Sequence, residues 1–299
     1  MTSRLSASSS AYFLLVLTSL LWAGNFVVAR AIHASIPPMT LSFARWVIAL
    51  LVLLPLGLRP AVRQFHLYRP YWRRILLLSL LGITAFNSLV YWGLQFTSAT
   101  NGVLLNSFIP ILIALFGALF FRMPMNWKQG GAILISFFGV LTIVAHGDAQ
   151  RLLALDINRG DAIVFSAMVA WAFYTLLLRG LPGGVDRLGL LTVQVALGLL
   201  GILPFFVWEV AHVPPLHLDL PGWAACLYVG TLPSVAAYYC YNLGVARVGA
   251  ARAGSFIHLM PAFGAVLSML FLGEAIHAYH LFGIGAILAG VWLATRVGR

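Results

Sequence analysis

The residue whose chemistry stands out first is a cation in an apolar setting. Arg45 lies inside the run 40–58, where arginine at the centre of a membrane helix costs about 2.5–3.5 kcal/mol. It must either snorkel to the nearby helix end or meet an anion, and its position allows both. Polar and aromatic residues recur elsewhere at helical spacing. Trp22, Asn25 and Phe26 share one face at i, i+3 and i+4, and Trp171, Tyr174 and Thr175 repeat that face later in the chain. Asn87, Tyr91 and Gln95 follow at i, i+4 and i+8, with Asn101 and Asn106 beyond, and Tyr238, Tyr241 and Asn242 form a comparable group. His258 stands three residues before Pro261, well inside an apolar run. It could relay a proton, contact a solute or simply pack. These side chains suit reversible binding of a small polar molecule, although each could equally hydrogen-bond a neighbouring helix for about 0.6–2 kcal/mol.

What is missing narrows the chemistry. Glu209, Glu274, Asp148 and Asp161 fall at the ends of apolar runs or between them, so no carboxylate is expected at mid-depth. Cation and proton antiporters hold positive charge with such a group, so neutral or zwitterionic cargo is expected. A phosphorylated or lipid-linked cargo remains an alternative, but it calls for several cations and only Arg45 and Arg252 qualify. A membrane-embedded enzyme is a second alternative. It finds no nucleophile with a base, no metal-ligand spacing and no Gly-rich phosphate loop in the sequence. No metal or cofactor is implied. Cys226 and Cys240, if helical, would stand roughly 20 Å apart, too far for a disulfide.

Those side chains need a scaffold, and composition says which solvent surrounds it. Of 299 residues 62% are hydrophobic and 8% charged, against about 25% charged in soluble domains. The net charge of +11 comes from short clusters between apolar runs. They form no continuous stripe, so nucleic acid is not the expected partner; the bilayer and a small solute are. Spans of about 20 apolar residues are expected near 12–29, 40–58, 75–95, 102–121, 129–146, 161–178, 188–209, 222–245, 253–272 and 279–296. The first is long enough to span and lacks a convincing cleavage site, so it reads as a helix and not as a signal peptide. With ten spans, fourteen of the eighteen Lys and Arg residues fall on the side of both termini, which the positive-inside rule makes cytoplasmic.

The chain also repeats itself. An offset of 149 residues superposes Trp22 on Trp171, Arg45 on Gln194 and Pro55 on Pro204. After one small indel an offset of 151 superposes Gly93 on Gly244, Pro110 on Pro261 and Gly139 on Gly290. Residues related in this way are called mates below. Pro110 and Pro261 each remove a helical hydrogen bond, so paired gating kinks are expected. Because five is odd, the second copy must enter the membrane upside down. The expected fold is therefore an all-α integral membrane protein with ten transmembrane helices in two inverted five-helix repeats, and such folds place solute sites at midplane where the repeats meet.

The stretch Trp22-Ala23-Gly24-Asn25-Phe26-Val27-Val28-Ala29-Arg30, its partner Trp171-Ala172-Phe173-Tyr174-Thr175, and the Leu272-Gly273-Glu274 ending of helix nine resemble EamA-type transporters of the drug/metabolite transporter superfamily. The resemblance implies a central cavity lined by helices 1, 3, 4, 6, 8 and 9, with 5 and 10 outside. It also implies export of amino acids or similar metabolites across a bacterial inner membrane by alternating access. The corresponding division is a cytoplasmic tail at 1–11, repeats at 12–146 and 161–296, a periplasmic connector at 147–160 and a cytoplasmic tail at 297–299. A monomer is compatible with all of this. One departure is that Arg122 and Met123 stand where the second repeat has Gly273 and Glu274.

Overall fold

A computed structural model describes residues 2–32, 36–123, 126–153, 158–182, 184–213, 220–272, 275 and 277–296, without the side chains of 2–8, 26, 27, 29–32, 99, 100, 221, 271 and 272. The expectations on the Phe26 and Arg30 side chains and on Gly273 and Glu274 lie outside the described residues. The described residues are helical with no strand. Ten long rods are α1 (Thr2–Ile32), α2 (Pro38–Arg63), α3 (Phe65–Gly93), α4 (Asn101–Phe121), α5 (Trp127–Val144), α6 (Arg159–Leu178), α7 (Arg187–His212), α8 (220–248), α9 (Ala250–Leu270) and α10 (Ala278–Arg296).

Eight of these rods are long and apolar enough to cross a membrane. The other two are α1 and α8. In α1 the described apolar stretch is the shorter Ser9–Asn25. In α8 the Tyr, Pro, Ser and Asn residues lower the hydropathy because they turn toward the protein interior, where Tyr238, Tyr241 and Asn242 are each 1% exposed. The segments expected to be tails and loops are partly helical. Helix α1 begins at Thr2, a short helix Ala149–Leu153 lies in the connector, and Phe65–Tyr68 with the 3-10 turn Arg69–Tyr71 extends α3 backwards. Polar residues cap the rods where they start. Ser98 accepts from the Asn101 amide and Asn126 from that of Lys128, Asn158 and Asp161 form a capping box, and Asp186 accepts from Gly189. At the end of α4, Arg122 adopts φ 51, a left-handed cap that usually selects glycine.

Short connections make successive rods run in opposite directions. One end of the bundle, called the Ser10 end, joins Arg247 Nη1 to Ser10 Oγ at 3.1 Å and Gln64 to Gly184 and Asp186. At the opposite, Thr40 end, Glu209 accepts from the Met39 and Thr40 amides and the Thr40 hydroxyl. Asp161 accepts there from Thr97 and Asn101.

Helices α2 and α7, and α5 and α10, pack against their own counterparts in the other repeat. Phe43 stacks on Phe206 at 4.3 Å, while near the other end a methyl on Gly57 would strike Thr192 and Leu188, so α2 and α7 are antiparallel. Helices α5 and α10 meet through the mates Gly139 and Gly290. A Cβ on Gly139 would sit 2.5 Å from the Gly283 carbonyl, and one on Gly290 would sit 2.6 Å from that of Ala132. Two backbones cannot approach that closely with any larger residue. Antiparallel packing of equivalent helices is the geometry that an inverted repeat requires.

Candidate functional site

Two backbone irregularities, themselves related by the repeat, shape the centre. A π turn spans Leu80–Ala85 in α3 and another spans Leu232–Ala236 in α8. Such turns loosen the regular hydrogen-bond ladder, and a carbonyl in each is bonded from another rod. The Gly82 carbonyl accepts from the Tyr238 hydroxyl at 2.8 Å, and that of its mate Pro233 accepts from Trp22 Nε1 at 3.1 Å. Sequence reading missed both turns, although a Gly and a Pro at equivalent positions were there to suggest them.

Arg45 sits in this frame and is 2% exposed. Its Nε donates to Ser234 Oγ at 2.9 Å, and its Nη1 donates to Asn87 Oδ1 at 3.0 Å and to the Tyr91 hydroxyl at 2.5 Å. Its guanidinium carbon lies 5.2 Å from the Trp46 ring centre and 5.8 Å from that of Tyr91. All of these partners are neutral. No carboxylate among the described residues pairs with it, and Nη2 makes none of these bonds. Arg45 is therefore held in place within the bundle with its charge uncompensated. Ser234 was not anticipated from sequence, because a serine in an apolar run gives no periodic signal.

Arg45 lines a cavity together with Trp22, Asn25, Asn87, Tyr91, Asn106, Trp171 and Tyr238, eight of the twelve binding residues expected from sequence. Phe86, Val90, Leu94, Ile109, Ile257 and Met260 complete the wall; as apolar residues in an apolar chain they could not be picked out in advance. The cavity encloses about 50 Å³, against about 300–1,000 Å³ for sites that seat drug-sized ligands. This conformation is therefore nearly closed around its centre. Trp22 and its mate Trp171 meet edge to face at 5.2 Å, and Tyr238 packs on them at 5.8 and 5.2 Å. Asn25 Oδ1, beside these rings, is buried without a hydrogen-bond donor.

The other four expected residues lie elsewhere. Tyr174 donates to Asn242 Oδ1 at 2.8 Å, and Tyr241 shares a hydrogen bond with Thr175 at 3.0 Å. These residues do share a face with Trp171 and Tyr238, but they pair with one another behind the cavity. His258 is fully buried and also outside the lining. Its Nε2 is 2.8 Å from the Ser107 carbonyl, which can only accept, so Nε2 carries the proton and Nδ1 faces Ser136 Oγ at 2.5 Å. His258 thus ties α9 to α4 and α5, and in this conformation it packs and does not line the cavity. Ser107 is its mate, and the bond joins two helix breaks. Helix α4 is interrupted at 107–108 just before Pro110, and the 3-10 turn Phe256–His258 interrupts α9 just before Pro261.

A membrane bundle with two equivalent halves, related helices packed antiparallel and, at their junction, a largely apolar cavity that holds one arginine and a few polar groups is the architecture of a solute carrier. The chain belongs to the EamA-like transporter family, which matches it twice, over residues 9–145 and 158–296. Among its relatives is a transporter of Archaeoglobus fulgidus, 27% identical over 96% of this chain and 98% of its own. A probable terminal-alkyne amino-acid exporter of Streptantibioticus cattleyicolor is 28% identical over 96% and 94%. An S-adenosylmethionine/S-adenosylhomocysteine transporter of Chlamydia trachomatis is 26% identical over 94% and 87%. A solved crystal structure of a protein 19% identical shares the fold with a TM-score of 0.77, over 97% of this chain and 98% of that one.

Proposed function

We infer that this carrier moves small zwitterionic metabolites, amino acids first, across a bacterial inner membrane by alternating access. Its ten rods cross as two inverted repeats at 12–146 and 161–296, both termini are cytoplasmic, and net movement is outward. The observation that carries the cargo class is Arg45. A buried cation with only neutral partners is costly until an anion arrives, and a carboxylate from the cargo would supply that anion with a charge-assisted hydrogen bond. The opposite charge has partners in the same cavity, since the faces of Trp22, Trp171 and Tyr238 attract an ammonium and Asn25 Oδ1 can accept from it. Among the described residues Arg45 is the one cation in the cavity wall, which favours a single carboxylate over a phosphorylated or lipid-linked cargo. Two relatives support the reading, as both are named for compounds with an amino-acid moiety. Outward direction rests on the one named an exporter.

The test is flux of a labelled amino-acid panel in proteoliposomes, with and without a pH gradient. Saturable uptake or counterflow of at least one zwitterion is expected, with little dependence on the gradient. If no zwitterion gives saturable flux while a phosphorylated or lipid-linked solute does, the inference fails.

A further inference from the structure

The cavity wall divides into two sets under the repeat. Trp22 with Trp171, Asn87 with Tyr238, Asn106 with Ile257, and Ile109 with Met260 are four pairs of mates, so each pair puts both of its members in the wall. Asn87 Nδ2 even donates to the Tyr238 hydroxyl at 3.0 Å. These pairs straddle the pseudo-twofold axis and form a centre common to both halves. The remaining six, Asn25, Arg45, Phe86, Val90, Tyr91 and Leu94, all lie in the parts of α1, α2 and α3 nearer the Thr40 end, or, for Leu94, at the cap that closes α3 there.

Their mates are Tyr174, Gln194, Ala237, Tyr241, Asn242 and Val245. All six lie toward the Ser10 end, in the last turns of α6, the first turns of α7 and the second half of α8, and each is 2% exposed or less. An inverted repeat puts a second vestibule there, and in this conformation it is shut. Tyr174 and Tyr241 are hydrogen-bonded in the shut state, but two side chains there are not fully satisfied. Gln194 is fully buried with no partner for Oε1 or Nε2, and Asn242 Nδ2, buried beside Tyr174, has none either. Leaving such groups unpaired costs about 1–3 kcal/mol each, a cost that partners met in another state would relieve.

We propose that Tyr174, Gln194 and Asn242 form a second solute subsite, closed here, that opens to the Ser10 side when the two repeats exchange conformations. There Gln194 takes the place that Arg45 holds on the Thr40 side, with a neutral amide where the first subsite has a guanidinium. The two subsites therefore differ in kind. A carboxylate is held by charge on the Thr40 side and handed to neutral hydrogen-bond donors on the Ser10 side. The inference rests on the carrier reading above for what the subsite holds, but its geometry can be tested without a cargo.

The test uses the full chain with Cys226→Ala and Cys240→Ala, in vesicles of both orientations, and a membrane-impermeant maleimide as the probe. A thiol introduced by Gln194→Cys is expected to react only from the Ser10 side, and one introduced by Asn25→Cys only from the Thr40 side. Asn242→Cys is a second report on the closed vestibule, in case the first substitution prevents folding. Locking the Thr40-side vestibule open with a cross-linker should reduce labelling at 194 and 242 at least tenfold. No labelling at 194 or 242 from the Ser10 side, or labelling only from the Thr40 side, would overturn the subsite. A failed flux panel with successful side-specific labelling would instead remove the cargo assignment and leave the subsite standing.

Discussion

Arg45 and Gln194 occupy equivalent positions in the two repeats, and their surroundings could hardly differ more. Arg45 makes three hydrogen bonds beside a cavity, whereas Gln194 makes none within a closed wall. The repeat copied the scaffold, including its π turns, proline breaks and glycine contacts, while the groups at these two positions diverged. A symmetric scaffold carrying asymmetric chemistry can alternate between two similar shapes and still treat its cargo differently on each side. Shape and chemistry are therefore separable in this fold, and substitutions at paired positions test how far.

The largest effect is expected from Arg45→Gln, which makes the first half resemble the second. Truncating one partner of a buried charged pair costs about 2–5 kcal/mol, so Vmax/KM for a zwitterion should fall by roughly 30-fold to more than 1,000-fold. The fold should not suffer with it. Removing the buried cation relieves a cost of about 2.5–3.5 kcal/mol but gives up its bonds to Ser234, Asn87 and Tyr91, so thermal stability in detergent should change far less than flux. A comparable fall in both flux and stability would mean that Arg45 is a structural anchor, and the contrast with Gln194 would lose its functional meaning.

A smaller effect should separate the two tryptophans. Trp22→Phe keeps a ring at the axis but leaves the Pro233 carbonyl without its donor, a loss of about 1–3 kcal/mol when the group stays buried. Trp171 Nε1 makes no such bond, so Trp171→Phe, which loses the same ring area, should cost less than Trp22→Phe by about 1–3 kcal/mol. Thermal unfolding of the two variants measures the difference, and equal shifts would show that the π turn of α8 does not depend on Trp22.

Part of this arrangement could be read from the residues in advance. Trp22 and Trp171 announced the repeat because a large aromatic at matched positions stands out even in an apolar chain. Arg45 announced itself by its charge, and Asn87 and Tyr91 by their spacing on one face. Helical periodicity names a face, however, without naming what that face meets, so Tyr174, Tyr241 and Asn242 could not be separated from Trp171 and Tyr238. His258 shows the same limit, since its partners are a carbonyl at the break in α4 and a serine within α5, both over 100 residues away in sequence. Ten rods were legible from runs of apolar residues, yet α8 falls short of a membrane span by hydropathy because its inward face carries Tyr and Asn. The polarity that weakens it as a span is the polarity that makes it useful inside.

The smallest effect should come from Gln194→Leu, and its sign is informative. Two buried polar atoms without partners contribute nothing to the closed state and carry a desolvation cost, while leucine of similar size fills the same wall. The substitution should therefore leave stability unchanged or raise it by up to about 1 kcal/mol, read as a small upward shift in melting temperature. Transport should move the other way. A leucine cannot receive the cargo on the Ser10 side, so half-saturation measured from that side should rise several-fold while half-saturation from the Thr40 side changes less. Thermodynamics ties the two faces of an uncoupled carrier to one common Vmax/KM, so Vmax from the Thr40 side must drop to match. A variant more stable than the parent and slower in both directions would show that Gln194 is kept for the state in which it finds a partner. A variant less stable than the parent would mean that Gln194 already does its work in the closed wall, and the two halves would then differ in degree and not in kind.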